Sequence, residues 1–445
     1  MTKLWAKNKT AFPEMSRRVE IFTADTDRQM DLKLAYWDVF GSKAHARMLG
    51  KCGLISEEDA ALLEKGLEEI ERRINEGSFV IEDGVEDVHS QVELLLTRAL
   101  GETGKRIHTA RSRNDQVLTD IKLFLKNELH LLVKEVETLA RQLLRLSEEN
   151  KDTLLPGYTH FQVAMPSSFG LWFGAYAESF SDDLLSVAAA YRLANKNPLG
   201  SAAGYGSSFP IDRELTTGLL GFADLHWNSV YAQMSRGKTE KSVAVAFAAV
   251  AATLGRMATD LVLFLSQNFG FVSFPEELTT GSSIMPHKKN PDVFELIRAR
   301  CSRIQALPNE IALVTANLPS GYHRDFQILK EHLFPASEDL RSCLSMTAFM
   351  LEHIRIGSDI TSDPRYRYLF SVEAVNRLVK TGIPFREAYV QVGRDIASGS
   401  FVPDTSVEHT HQGSIGHLCN DKIEAALNTV LEEFVPFPFS PQSVK

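Results

Sequence analysis

The sequence predicts an all-α protein of three helical domains with a central bundle of long helices, and three observations carry that expectation. Apolar residues recur at steps of three and four over long stretches, proline is absent between Glu14 and Leu155, and strand-period alternation is scarce. A chain of 445 residues is too long for one compact core, and 44% apolar with 24% charged residues is the composition of an ordinary globular protein. The expected units are residues 1–110, built of shorter helices; 111–356, the long-helix bundle; and 357–445, a small helical domain containing VEAVNRLVKTGIPFREAYVQV.

The clearest rod follows a capping pattern from Ser112 to Asp115. Apolar residues then fall at Ile121, Leu125, Leu129, Leu132, Val136, Leu139, Leu143 and Leu146, every step four or three. This predicts a helix over about residues 115–150, roughly 50 Å long at ~1.5 Å per residue. Rods of that length need long neighbours, and residues 168–194 and 239–267 supply two. The second carries VAVAFAAVAATL, apolar almost all round, and is expected to be buried on every side. One chain's bundle seldom encloses a helix so fully, so this rod predicts a homo-oligomer in which bundles of several subunits pack together. A fourth rod, about 292–317, is expected to kink at Pro308. The tail VPFPFSPQ is expected to lie extended on the surface.

Charge and cysteine usage exclude several functions. Lys and Arg total 48 against 57 Asp and Glu, a net charge of −9 that argues against a nucleic-acid surface. Cys52, Cys301, Cys343 and Cys419 are scattered and form no CxxC pair, so neither a zinc ribbon nor a disulfide framework is indicated, and a reducing cytoplasm fits. The N-terminus has no apolar core of signal-peptide length, and the apolar run from Val243 to Leu254 is short for a bilayer and is followed by Arg256 and Asp260. No membrane partner is therefore expected. The segment HTHQGSIGHLC, with His409, His411, His417 and Cys419, lacks a closing ligand set, and no metal is assigned to it.

The most informative string is GSSIMPHKKNPD, from Gly281 to Asp292. Asn290 is expected to cap a helix, Pro291 to occupy its first position and Asp292 to complement the positive end of its dipole. Gly281, Ser282 and Ser283 form a small-residue loop, and Lys288 and Lys289 supply positive charge. In isolation such a segment is more often a turn with solvated lysines. Two further strings change that reading: HTARSRNDQV, from His108 to Val117, and GYTHFQVAMP, from Gly157 to Pro166.

In this order, the three strings resemble the fumarase/aspartase superfamily, whose members eliminate an amine or water from a succinyl group to leave fumarate. Within it they are most similar to the branch that cleaves argininosuccinate, and the likeness covers nearly the whole chain. The resemblance implies a cytoplasmic homotetramer of helical subunits, anti elimination of argininosuccinate to arginine and fumarate, no cofactor, and active sites to which three chains each bring one motif. Breaking a C–N bond beside a carboxylate needs a base, a cationic clamp and an acid. By resemblance these are Ser282 as base, Lys288 and Asn290 around the aci-carboxylate, and His160 as acid with Glu295 as its partner. Substrate binders implied in the same way are Arg113, Asn114, Thr159, Tyr322, Gln327, Lys330 and His89; a helix-packing role is open for His89. A serine base works only if its alkoxide is stabilised by loop N–H groups and by Lys288.

The resemblance has departures. Alignment of KLAYWDV puts Asp27 where the family commonly has a serine, Met165 replaces a usual glutamine, and Ser235 and Gly237 flank Arg236 where acidic residues are expected. These bear on substrate identity more than on reaction type. The other readings are a lyase for another N-succinyl compound, such as adenylosuccinate, and a recruited structural protein of the crystallin kind on the same scaffold.

Overall fold

The computed structural model describes residues 13–24 and 27–434; the tail VPFPFSPQ and the first twelve residues lie outside that range. The chain begins with α1 (Pro13–Ala24), α2 (Asp27–Lys51), α3 (Glu57–Asn75), α4 (Val88–Leu100) and the short α5 (Glu102–Lys105). The rods follow: α6 (Arg113–Glu149), α7 (Phe169–Ala194), the short α8 (Arg213–Leu219) and α9 (Ser229–Met234), then α10 (Lys238–Leu265), α11 (Asp292–Val314) and α12 (Leu329–Glu352). The last elements are α13 (Ser371–Lys380), α14 (Phe385–Ser398) and α15 (Asn420–Leu431). Strands are short and pair in twos, the longest being β1 (Leu154–Thr159) with β2 (Gln162–Ser168), antiparallel.

α6 starts where the capping pattern places it. The Ser112 hydroxyl accepts from Asn114 N at 3.2 Å, and Asp115 Oδ1 accepts from Ser112 N at 2.9 Å. The other oxygen of Asp115 accepts from Gly200 N and Ala202 N, both at 2.9 Å, so one carboxylate also anchors the loop that follows α7. Each apolar residue expected on the buried stripe of α6, from Ile121 to Leu146, is at most 7% exposed. At 37 residues the helix spans ~55 Å.

α6 packs on α7, α2 and α12, while α10 packs on α11 and α7. One continuous core runs through these rods and includes Phe173, Phe180, Phe247, Leu254 and Leu340. It also takes Ile423, Leu427 and Val430 from α15, so the last helix docks on the bundle. A second core joins α2, α3 and α4 through Leu49, Leu63, Leu67 and Val92, and a third joins Val375, Ala388, Val392 and Phe401. Burying each such leucine or phenylalanine contributes about 1.5–3 kcal/mol.

Two features of α10 bear on its expected burial. In a single chain it is not enclosed on every side, because Val245, Ala252 and Arg256 stand exposed along one edge. The stretch Ser229–Leu265 also does pass, on length and composition, as able to cross a membrane. Its inner face, with Val243, Ala244, Phe247, Val250 and Leu254 all at 0% exposure, makes it a core helix instead. Alanine is apolar enough to extend a hydrophobic run yet small enough to sit at a surface.

The junction of α6 and α7 is close-packed. Ser147 Oγ donates to Gly170 O at 2.6 Å, and a methyl group at Gly170 would stand 2.6 Å from both Ser147 O and Lys151 Cα. Backbone cannot retreat as a flexible side chain can. Gly170→Ala is therefore expected to destabilise by about 2 kcal/mol despite the better helix propensity of alanine. Urea unfolding measures this; a gain in stability would show that the two helices separate freely.

Candidate active site

Most of the expected binding residues converge on one cleft of about 190 Å³. Arg113 and Asn114 reach it from the first turn of α6, His89 from α4, Tyr322 and Gln327 from the segment ahead of α12, and Lys330 from the start of α12. Ser112 orders the first turn of α6, which is why Arg113 and Asn114 project from a fixed backbone. Arg113 Nη1 lies 3.3 Å from Asp87 Oδ2 and 3.8 Å from Glu86 Oε2.

The walls of this cleft also hold residues that sequence reasoning missed: Asp31, Glu86, Asp87 and Arg324. Arg324 Nη2 is 3.2 Å from Glu86 Oε1. Lys330 is 5% exposed and bonds Asp31 directly, with Asp27 at 2.6 Å. Asp27, the residue at the departure, is thus engaged by an ammonium group. Burial pushes its carboxyl up to about 6, against the pull of Lys330. Arg236 is buried as well, its Nε 2.9 Å from Glu240 Oε1 and its guanidinium 5.2 Å from the ring centre of Phe326. A carboxylate four residues on, in the first turn of α10, supplies the partner that its immediate neighbours lack.

His89 occupies the cleft floor at 6% exposure, with Nδ1 2.8 Å from Asp38 Oδ1. It packs between helices and lines the cleft at once, so its position is compatible with both roles left open for it. Desolvation opposes its charge, but Asp38, Asp87 and Asp120 outweigh that and raise its pKa to about 9.

Ser282 lies elsewhere, in the exposed loop ahead of α11. Its Oγ accepts from Ile284 N at 3.3 Å and from Met285 N at 3.1 Å. Those are the loop N–H groups that a serine base requires. Lys288 and Lys289 are exposed and form no ion pair among the described residues. The expected cap is not formed: Pro291 occupies the N-cap position of α11 with no side-chain hydrogen bond, and Asp292 is the first helical residue. Asn290 instead donates from its backbone N to Thr280 O at 2.8 Å and from Nδ2 towards Thr280 Oγ1 at 3.4 Å. Closing the base of the loop has taken the amide that capping would use.

His160 lies on a hairpin. Thr159 pairs with Gln162, which leaves His160 and Phe161 as the two-residue tip of the β1–β2 hairpin, with φ of 54° and 56°. Both torsions positive is the twist that a tight hairpin favours, reached here without glycine at about 1 kcal/mol or more per residue. His160 and Thr159 are exposed, as is Glu295 in the first turn of α11. His160 and Glu295 form no hydrogen bond with each other among the described residues of one chain. The cleft of Arg113 and Lys330 contains neither Ser282 nor His160. Met165, the third departure, sits on β2, on the return strand of the His160 hairpin.

Of the tail histidines, His409 is committed to Ser414 Oγ at 2.7 Å and Glu373 Oε1 at 3.2 Å, while His411 stacks on it at 5.8 Å.

A family model described as Lyase matches residues 13–306. The argininosuccinate lyase of Phocaeicola vulgatus is 57% identical, over 97% of this chain and 96% of its own, and that of Parabacteroides distasonis is 56% identical over the same shares. The chain belongs to the argininosuccinate lyase family. Among solved structures, EDDS lyase in complex with formate is similar in fold, with a TM-score of 0.72 at 20% identity over 93% of this chain and 89% of that one. A fumarate lyase:delta crystallin from Brucella melitensis bound to cobalt has a TM-score of 0.72 at 17% identity, covering 91% of each chain.

In this argininosuccinate lyase family member the charge of Asp27 has a measurable consequence. Its carboxyl sits at about 6 when folded against an ordinary 3.8, so the folded state holds the proton more tightly. The stability it contributes is present below the ordinary value and is lost as pH rises through about 6. Asp27→Asn is therefore expected to stabilise the protein at about pH 8, by about 1 kcal/mol, with the gain fading as pH falls below the folded pKa. Urea midpoints at the two pH values check this; a loss at the higher pH would mean that attraction to Lys330 outweighs the burial.

Proposed function

We propose that the chain cleaves argininosuccinate to arginine and fumarate by anti elimination, as a cytoplasmic homotetramer whose active sites are shared between subunits. The observation that carries the chemistry is the Ser282 oxygen held by two backbone N–H groups. An alkoxide formed there meets preset donors, and an ammonium such as that of Lys288 favours it further. It takes the proton from the carbon next to the succinyl carboxylate. Negative charge then spreads into that carboxylate as an aci-form, where Lys288 and Asn290 meet it. His160, with Glu295 as partner, gives a proton to the departing guanidino nitrogen, and the C–N bond breaks with its electron pair on nitrogen. Arg113, Asn114, Thr159, His89, Tyr322, Gln327 and Lys330 hold the two ends of the substrate. This sequence uses no cofactor.

Sharing between subunits is supported by the separation of the three motifs within one chain and by the open edge of α10 at Val245 and Ala252, which another bundle would cover. The three-domain division at residues 110 and 356 is our reading as well; separate small cores within 35–107 and 375–401 support it, while α15 shares the core of the bundle. Identity to argininosuccinate lyases over nearly the whole chain favours this substrate over another N-succinyl compound, and the retained Ser282, Lys288 and His160 favour an enzyme over a purely structural protein.

Purified protein incubated with argininosuccinate is expected to release fumarate, seen by its absorbance; no release sinks the proposal. Ser282→Ala and His160→Asn are each expected to lower kcat by about 10²–10⁴-fold, the alanine variant with little change in substrate binding. Mixed and reassembled together, the two inactive variants are expected to recover part of the activity, because some sites then draw both intact residues from different chains. Recovery absent from a confirmed mixed tetramer would place the serine and histidine on one subunit.

A further inference from the structure

Behind the cleft, three ionisable side chains are closed off from solvent: Asp38 of α2 at 0% exposure, His89 of α4 at 6% and Asp120 of α6 at 1%. Their polar atoms lie within 4.8 Å of one another. His89 Nδ1 is 2.8 Å from Asp38 Oδ1 and 3.5 Å from Asp120 Oδ2. Gln116 Nε2 donates to the same Asp38 oxygen at 2.5 Å. The carboxyl groups of Asp38 and Asp120 are within hydrogen-bonding reach, yet the Oδ2 atom of each has no donor among the described residues.

Two bare carboxylates facing each other in a dry space repel, and each orphan oxygen adds its own desolvation cost. One proton removes both problems. Placed on Asp120, it makes an O–H···O⁻ bond to Asp38, and the single negative charge left on Asp38 is matched by an imidazolium. Because Nδ1–H is spent on Asp38, the free donor of the ring is Nε2–H, and His89 forms part of the cleft wall. We propose that Asp38 and Asp120 are positioning residues that share one proton and so hold His89 as a fixed imidazolium, its Nε2–H available to an anionic group of the substrate. The last clause rests on the reading of the cleft as the substrate site.

The other charged groups around His89 fit this state. Asp87, at the head of α4, is ionised and favours the imidazolium, while His108 is held neutral by burial and by Arg111. Arg111 steadies Asp38 from the segment ahead of α6 and is itself bound to Ser42 Oγ at 3.0 Å. Arg113, in the first turn of α6, is turned to Asp87. Burial pushes the Asp38 carboxyl up, but His89, Arg111 and Gln116 outweigh it and hold Asp38 below the usual carboxylate range, whereas burial and the neighbouring Asp38 raise Asp120 well above it.

Neutron diffraction from crystals of the deuterated protein at about pH 8 reads the arrangement directly, because an ordinary histidine is neutral there. The expected result is deuterium on both ring nitrogens of His89 and one deuteron between Asp38 and Asp120. A singly deuterated ring, a bare carboxylate pair or a bound cation in that space overturns the proposal. In Asp120→Asn the amide replaces the shared proton, and both ring deuterons are expected to stay; their loss also overturns it. In Asp38→Asn the ring is expected to lose one deuteron, and kcat/KM for argininosuccinate to fall about tenfold to a hundredfold, mainly through KM, as for a lost charged hydrogen bond. Equal KM with both ring protons retained would remove Asp38 from the role. The diffraction needs no substrate, so a failure of the assigned reaction and a failure of the proton arrangement are told apart.

Discussion

One buried carboxylate sets the geometry from which the cleft is built. Asp115 takes the N–H of Ser112 on one oxygen and those of Gly200 and Ala202 on the other, at the positive end of a 37-residue helix. That fixes where α6 begins, hence the direction in which Arg113 and Asn114 leave it, and it ties the loop after α7 to the same point. Its burial is unfavourable for charge, and the carboxyl rises to about 6. Three donors and the helix end offset that cost, so the joint is specific more than it is strong. Because α6 touches α2 and α12, a shift at its first turn would be felt by the walls that carry Asp27, Asp31 and Lys330.

Positive charge is distributed in two ways. Inside the cleft each cation is pinned: Arg113 by Asp87, Arg324 by Glu86, Lys330 by Asp27 and Asp31, Arg236 by Glu240. Pinned cations are oriented in advance and need little reorganisation when an anion arrives. On the loop ahead of α11, Lys288 and Lys289 are exposed and unpinned among the described residues. Their charge acts only where another surface closes over them. The proposed recognition thus falls on paired cations in the cleft and the proposed chemistry on exposed segments.

Much of this was legible from residue order. The three-four spacing from Ile121 to Leu146 located α6 and its buried stripe, because side chains on a long helix have few other ways to hide. The pattern from Ser112 to Asp115 located its start, since capping is a local interaction. The hairpin carrying His160 was not legible: Pro156, Gly157 and Pro166 break the strand alternation, and the tip lacks the glycine that announces such a turn. Asn290 was misassigned because an amide can cap a helix or close a loop, and only the position of Thr280 decides between them. Asp38 and Asp120 left a faint signal in the sequence, carboxylates beside Trp37 and Ile121 in the buried phase of their helices. Their meeting with His89 depends on how α2, α4 and α6 cross.

The torsions at the hairpin tip also narrow what mutation can explore. Residues 160 and 161 both adopt a left-handed backbone that asparagine, aspartate and glycine tolerate and that valine, isoleucine and threonine resist. A neutral drift away from His160 must first satisfy the ribbon's shape, and the replacements that do so carry no imidazole. Of those replacements only aspartate titrates at all, so the hairpin's form leaves few substitutes for the ring.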